Sequence, residues 1–341
     1  MLVIQTIIIL CILIFVHELG HFAAAKLSGV KVNEFALGMG PAFFKKQRGE
    51  TLYSLRILPI GGFCTMEGQD GDSDDSGSFE MKPARIRAII LAAGSFMNVA
   101  LAILILSAVF FVGTALTTEI RAVGEGSPAE AAGIISGDRI VSVDGVPIGE
   151  WQEIVTRISD SQNERVSIGV IRNDVEMTIV TGTTTADDGR RIIGIVPASV
   201  TSFTNPFTAI ALGTRAAGDL IVSMIEILGM IFTGAVPPSD LVGPIGIAYI
   251  VDDTARMGMR PLLFLVALIS LNLAIVNLLP FPALDGGRLL FLVIRKLTGK
   301  VISDTVEGRI HLIGMVLLLA LMVYLTWNDI GRFIIGTFTF G

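Results

Sequence analysis

Polar positions are so sparse over residues 1–25, 88–116 and 310–327 that each run, taken as a helix rising about 1.5 Å per residue, crosses a hydrocarbon layer of roughly 30 Å. Residues 262–279 form a fourth, shorter run without a charge. A fifth stretch, 207–232, is nearly as apolar but carries Arg215, Asp219 and Glu226. At about 100° per residue these three fall within roughly 40° of one another, and a single polar stripe on an apolar helix predicts a helix lying on the membrane surface. Two β-rich runs, 32–38 and 51–59, flank Lys45-Lys46-Gln47-Arg48-Gly49 and predict a hairpin. Between 117 and 203 the pattern turns to short elements. Ser127-Pro128 offers an N-cap and a proline at the first helical position, Gly133 a terminator, and residues 140–143 a strand closed by Asp144-Gly145.

Composition narrows the class. Of 341 residues 52% are apolar and 16% charged, with a mean hydropathy of +0.72. Ordinary soluble domains hold about 45–50% and 25%, so soluble, disordered and fibrous classes are excluded and a hydrocarbon phase is required. Cys11 and Cys64 stand far apart without a CxxC spacing, which leaves neither a disulfide framework nor a thiolate zinc site. The first run lacks a basic leading segment and ends in His17-Glu18-Leu19-Gly20-His21, so it is expected as a retained helix.

Loop charge orients the spans. Residues 26–87 hold nine Lys and Arg and residues 288–309 hold five, which assigns both to the cytoplasmic side. Residues 117–205 hold seven Arg and no Lys against thirteen Asp and Glu, a net of −6 that equals the charge of the whole chain. This acidic module and both termini are then expected outside. The fold class expected is a mainly α-helical polytopic membrane protein with four transmembrane helices, a cytoplasmic membrane-associated β-hairpin, an inserted α+β module and an interfacial amphipathic helix. Its organisation reads as 1–25 first span, 26–87 cytoplasmic loop with the hairpin, 88–116 second span, 117–203 acidic module and 204–260 amphipathic helix and linker. The remainder reads as 261–284 third span, 285–309 cytoplasmic helix or loop, 310–327 fourth span and 328–341 tail.

The chemistry sits at the end of the first run. His17 and His21 are four residues apart, so both imidazoles leave one helical face and can hold one zinc ion, with Glu18 beside them to accept a proton from water. Ionisable side chains at membrane depth cost some 2.5 kcal/mol or more each, and three on successive turns require a functional reason. Zinc needs a third protein ligand and an open position. His311 opens the last span and is read as interfacial. The better candidate is Asp285, in Asn277-Leu278-Leu279-Pro280-Phe281-Pro282-Ala283-Leu284-Asp285-Gly286-Gly287, where two prolines break the span and two glycines admit close backbone approach. With four spans His17 and Asp285 reach the same membrane face; with five they lie a membrane apart.

The HELGH motif, the NLLPFPALDGG motif and the SPAEAAG and GDRIVSVDG order of 127–145 together resemble the site-2 protease family of intramembrane zinc metalloproteases, in its RseP-type branch with a single PDZ domain. Segments such as Gly38-Met39-Gly40-Pro41, Ser78-Phe79-Glu80-Met81-Lys82-Pro83 and Val242-Gly243-Pro244-Ile245-Gly246-Ile247 extend the likeness over nearly the whole chain. The resemblance implies His17, His21 and Asp285 as zinc (Zn2+) ligands, Glu18 as general base, and Asn272, Asn277, Pro280 and Pro282 as substrate-engaging and site-shaping positions. It departs from the family at Gly94-Ser95, where proline commonly follows the glycine, and in having room for one PDZ domain where well-known members have two.

The activity implied is regulated intramembrane proteolysis in the bacterial cytoplasmic membrane. Its substrates would be pre-trimmed single-pass membrane proteins such as anti-sigma factors or remnant signal peptides, and the PDZ-like module would bind substrate tails or exclude untrimmed ones. Nothing points to nucleic acid. An edge of the hairpin is expected to capture substrate as an added strand, with residues 51–59 as the candidate. A metal-free adaptor and a transporter using Asn98, Asn272 and Asn277 are the rival readings, both disfavoured by His17, Glu18, His21 and Asp285 occurring together. The acidic tract 70–77 fails as a calcium loop, because its sixth position is Asp75 and its twelfth Met81.

Overall fold

The computed structural model describes residues 2–69, 75–161, 163–186, 189–235, 237, 241–299 and 304–335; most of the acidic tract 70–77 lies outside them. The chain runs α1 (Leu2–Leu27), β1 (Val32–Arg48), β2 (Thr51–Met66) and α2 (Ala84–Phe111). It continues as β3 (Val112–Val123), α3 (Pro128–Ala131), β4 (Arg139–Val143), β5 (Val146–Pro147), α4 (Trp151–Asp160), β6 (Arg165–Arg172), β7 (Val175–Gly182), β8 (Thr184–Thr185), β9 (Arg191–Ile192) and β10 (Ile195–Phe203). It ends as α5 (Pro206–Phe232), α6 (Pro244–Met257), α7 (Met259–Leu278), α8 (Asp285–Thr298) and α9 (Asp304–Ile335). Two compact units result, Met1–Phe110 with Pro206–Gly341, and Phe111–Asn205.

In the first unit α1, α2, α5, α7 and α9 are each long and apolar enough to cross a membrane. Leu312, Ile313, Val316 and Leu317 of α9 stand exposed, as a lipid-facing helix requires. The apolar run that begins at residue 88 does not stay helical to 116. Val112-Gly113-Thr114 combines β-branched residues with a helix-breaking glycine, and β3 takes over at Val112, paired with β10. Helix α5 buries Ala209, Gly213 and Ala217, four residues apart, and keeps Arg215 and Asp219 exposed on the opposite side. Ala217 joins a core with Ala102 and Leu106 of α2 and Ala267 and Leu271 of α7.

Strands β1 and β2 form one long antiparallel hairpin that doubles back on itself. Glu34 faces both Leu52 and Thr65, and Leu37 faces both Leu55 and Gly62, while Phe44 to Arg48 pair with Leu55 to Thr51. The resulting order of segments is 42–48, 51–55, 32–37 and 62–66. Residues 51–55 are therefore flanked on both sides and offer no edge. The expectation of capture on the 51–59 run is corrected here: the outer segments are 42–48 and 62–66, and of these 62–66 borders the cavity that holds Glu18. This segment runs beside α1, where a Cβ at Gly62 would meet Glu18 and Ile14, and the preceding Pro59 O accepts from Cys11 Sγ at 2.7 Å. Phe35, Cys64 and Met66 pack with Ala25, Phe79, Ile90 and Leu91 in a core that fixes the hairpin to α1 and α2.

In the second unit the sheet order is β10-β3-β4-β6-β7, with β5 beside β4. Val166, Ile168 and Val170 alternate inward, a bulge between Ile140 and Ser142 turns both Ile140 and Val143 inward, and with Ile120 they meet Ile154 and Ile158 of α4 and Ala129 of α3. Ser127 caps α3 by accepting from Glu130 N, with Pro128 at the first position. Asp138 is fully buried and accepts from Arg172 Nε and Nη2 at 2.7 Å, which holds its carboxyl below the ordinary carboxylate range. A carboxylate with a lowered folded pKa stabilises above its unfolded value near 3.9 and loses that contribution as pH falls through the folded value. Asp138→Asn is expected to lower the unfolding temperature of this unit by a few degrees at pH 7, and to flatten its decline between pH 5 and 3. Calorimetry showing the same steep decline in the variant would contradict this role.

Candidate metal centre

His17 and His21 are both buried, and their imidazoles leave α1 on the face turned to α2. Room for them comes from Gly94. A Cβ there would stand 2.7 Å from His17 Nε2 and closer still to His21 Nε2. Gly20 does the same in reverse, since its Cβ would meet Ala93 and would lie 2.8 Å from Met97 Cγ. The two helices therefore approach along glycine-lined faces. Ile90, one turn before Gly94, accepts from His21 Nδ1 at 2.8 Å, which leaves the His21 Nε2 lone pair directed inward. One turn after Gly94, Asn98 Nδ2 lies 3.3 Å from His17 Nδ1.

The third group arrives from the break after α7. The helix stops at Leu278, Leu279 is extended, and Phe281 N donates back to Leu279 O at 2.7 Å, because Pro280 and Pro282 cannot continue the ladder. Ala283 takes a left-handed φ of 79°, and its N–H donates to His311 Nδ1 at 2.8 Å. Gly286 and Gly287 then let the start of α8 fold under the break. A Cβ at Gly286 would strike the carbonyls of Leu278 and Leu279, and one at Gly287 would lie 2.9 Å from Phe281 C. Asp285 stands in the first turn of α8, where free N–H groups favour a carboxylate.

These elements bring His17 Nε2 to 3.1 Å and His21 Nε2 to 3.2 Å from Asp285 Oδ2, with the two imidazole nitrogens 3.2 Å apart. Among the described residues this is the grouping of His, Cys, Asp and Glu able to hold a metal ion. The triangle matches one face of a tetrahedral zinc site, whose ligand atoms at about 2.0–2.2 Å from the ion lie roughly 3.3 Å apart. Two imidazoles and one carboxylate leave the fourth position open, so donor set and geometry both fit zinc.

Glu18 lines the same cavity, of about 430 Å³, with His17, His21, Asp285, Asn277 and residues 63–66 of β2. Its side chain passes Gly62, where a Cβ would lie 3.3 Å from Glu18 Cγ, and its carboxylate accepts from the Cys64 backbone N–H. Asn277 Nδ2 lies 3.5 Å from His17 Nε2. Asn272 and Pro280 are both exposed and do not line the cavity. Pro282 packs where Gly314 of α9 leaves space. His311, 28 residues from Ala283 in sequence, holds the broken segment to α9 and touches the Phe291 ring at 5.6 Å. Ile90, Gly94 and Asn98 are the site residues that sequence reasoning did not assign to it.

The profile of peptidase family M50 matches residues 5–321. The chain belongs to peptidase family M50. Among relatives, zinc metalloprotease RasP of Shouchella clausii is 31% identical, over 95% of this chain and 97% of that one. Regulator of sigma-W protease RasP of Bacillus subtilis is 30% identical over 97% and 98%, and a putative zinc metalloprotease of Clostridium perfringens is 36% identical over 93% and 95%. Among solved structures, the PDZ domain of an SdrC-like protein from Listeria monocytogenes is 24% identical, covering 24% of this chain and 85% of that chain with a TM-score of 0.22. For this M50 member Gly94→Ala is expected to displace one imidazole and weaken divalent-metal binding about 10-fold or more, at unchanged helix content. Equilibrium dialysis with wild-type affinity in the variant would show that the α1–α2 approach does not govern the site.

Proposed function

We propose that the chain is an intramembrane zinc metalloprotease that hydrolyses a peptide bond inside the membrane-spanning segment of single-pass proteins already trimmed outside the membrane. The observation that carries this reading is the approach of His17, His21 and Asp285 to within 3.2 Å of one another beside Glu18. Family membership and relatives named zinc metalloprotease support the same metal and reaction.

When bound, zinc supplies Lewis acidity that polarises a peptide carbonyl and acidifies water. His17, His21 and Asp285 would hold it. Glu18 takes the proton from the attacking water and delivers it to the leaving amine. A substrate helix must first be unwound, because its carbonyls are engaged in its own ladder. Segment 62–66 lines the cavity with one unpaired edge and takes the unwound substrate as an added strand. Asn277 hydrogen-bonds the freed backbone, Pro280 and Pro282 shape the approach, and Asn272 contacts the substrate outside the cavity.

The topology that fits is four spans, α1, α2, α7 and α9, with α5 on the membrane surface. Contact between His17, near the end of α1, and Asp285, just past α7, supports an even number of crossings between them. A spanning α5 would put them on opposite faces. Lys- and Arg-rich loops then place the centre toward the cytoplasmic side of a bacterial inner membrane, and unit 111–205 outside as a PDZ-like domain that binds substrate tails or excludes untrimmed chains. The Bacillus subtilis relative, named regulator of sigma-W protease, supports anti-sigma-type substrates.

Glu18→Gln is expected to keep about one zinc per chain yet cut a reconstituted single-pass substrate about 10²–10⁴-fold more slowly. A variant that cleaves at the wild-type rate would remove Glu18 from the mechanism. Photo-crosslinking from position 63 in the Glu18→Gln protein should trap the reconstituted substrate with zinc retained, and no adduct there would reject strand capture at 62–66.

A further inference from the structure

Asn98 is completely buried on α2, and its backbone carbonyl accepts from Ser270 Oγ of α7 at 2.8 Å. Its amide nitrogen lies 3.3 Å from His17 Nδ1, while its Oδ1 is buried and has no donor among the described residues. A neutral imidazole has one N–H and one lone pair. On the zinc reading above, on which this inference rests, His17 Nε2 gives its lone pair to the metal, so Nδ1 carries the proton and must donate. An amide N–H facing it would set donor against donor. The two ends of a carboxamide are nearly identical in shape, and a half-turn about the last side-chain bond exchanges them. The orphaned oxygen then meets the N–H that needs an acceptor.

We propose that Asn98 is a positioning residue of the metal centre, its Oδ1 accepting from His17 Nδ1–H and thereby fixing the tautomer and plane that aim Nε2 at zinc. The placement on α2 is systematic. Ile90, Gly94 and Asn98 follow one another at four-residue intervals on a single helical face, opposite His17 and His21 at the same interval on α1. The Ile90 carbonyl orients His21, Gly94 leaves the gap that both rings fill, and the Asn98 amide orients His17. α2 supplies no ligand, yet it sets the direction of two. Ser270 in turn ties Asn98 to α7, the helix whose broken end delivers Asp285.

The test compares zinc retention against a competing chelator in full-length wild type, Asn98→Leu and Asn98→Asp. Asn98→Leu removes the acceptor and is expected to weaken retention about 10–100-fold, whereas Asn98→Asp, which offers only acceptors, stays within about threefold of wild type. Wild-type retention in Asn98→Leu, or equal losses in both variants, would overturn the proposal. A packing role alone does not predict rescue by aspartate. Should the leucine variant fail to fold, ¹⁵N-histidine spectra of zinc-loaded wild type decide. His17 and His21 should show protonated Nδ1 and His311, which accepts from Ala283 N–H, an unprotonated one; a single protonated Nδ1 would overturn the assignment. Wild type that retains no zinc defeats the zinc reading and this inference with it, a result distinct from zinc held equally by all three proteins.

Discussion

Two buried imidazoles and a partly buried carboxylate within 3.2 Å of one another form the constraint around which the first unit is arranged. Removed from water, such a cluster is costly unless a cation and fixed outer hydrogen bonds compensate it. Each group reaches the centre because backbone elsewhere gives way. Gly94 opens α2 to both rings, Gly20 lets α1 close on Ala93, and Gly286 and Gly287 tuck α8 beneath the end of α7. The prolines at 280 and 282 end α7 at the depth where Asp285 is needed, and His311 secures the strained Ala283 turn that precedes it.

The same constraint organises access. Segment 62–66 borders the cavity on one edge and pairs with 32–37 on the other, so the strand that passes beside Glu18 has its outer edge turned to the cavity. The core of Phe35, Cys64 and Met66 against Ala25, Ile90 and Leu91 keeps that edge in register with α1 and α2. The positions of Glu18, the proposed base, and of the proposed substrate edge are thus set by one packed surface, as catalysis by orientation requires.

Local features of the site were legible in the sequence. His17, Glu18 and His21 follow a helical spacing, and the prolines and glycines around Asp285 announce a break with close backbone approach. Long apolar helices were legible by length, but the change from α2 to β3 at Val112 was not, since hydropathy does not separate a β-branched strand from a helix. The hairpin was visible as two strands; its doubling back was not, because pairing of Glu34 with both Leu52 and Thr65 depends on contacts remote in sequence. The Ile90 carbonyl left no signal, as every residue carries one. Asn98 did leave one, a polar side chain in an apolar run, but its partner is on another helix. His311 reads as an interfacial residue until the Ala283 N–H is placed against it.

Zinc-edge X-ray absorption on the purified wild type and on Asp285→Ala tests the joint grip of α1 and the α7–α8 break most directly. The wild type should show two imidazole nitrogens and protein oxygen at about 2.0–2.2 Å, and the variant should lose zinc or replace that oxygen shell while keeping both imidazoles. An unchanged first shell and unchanged zinc content in Asp285→Ala would contradict the account.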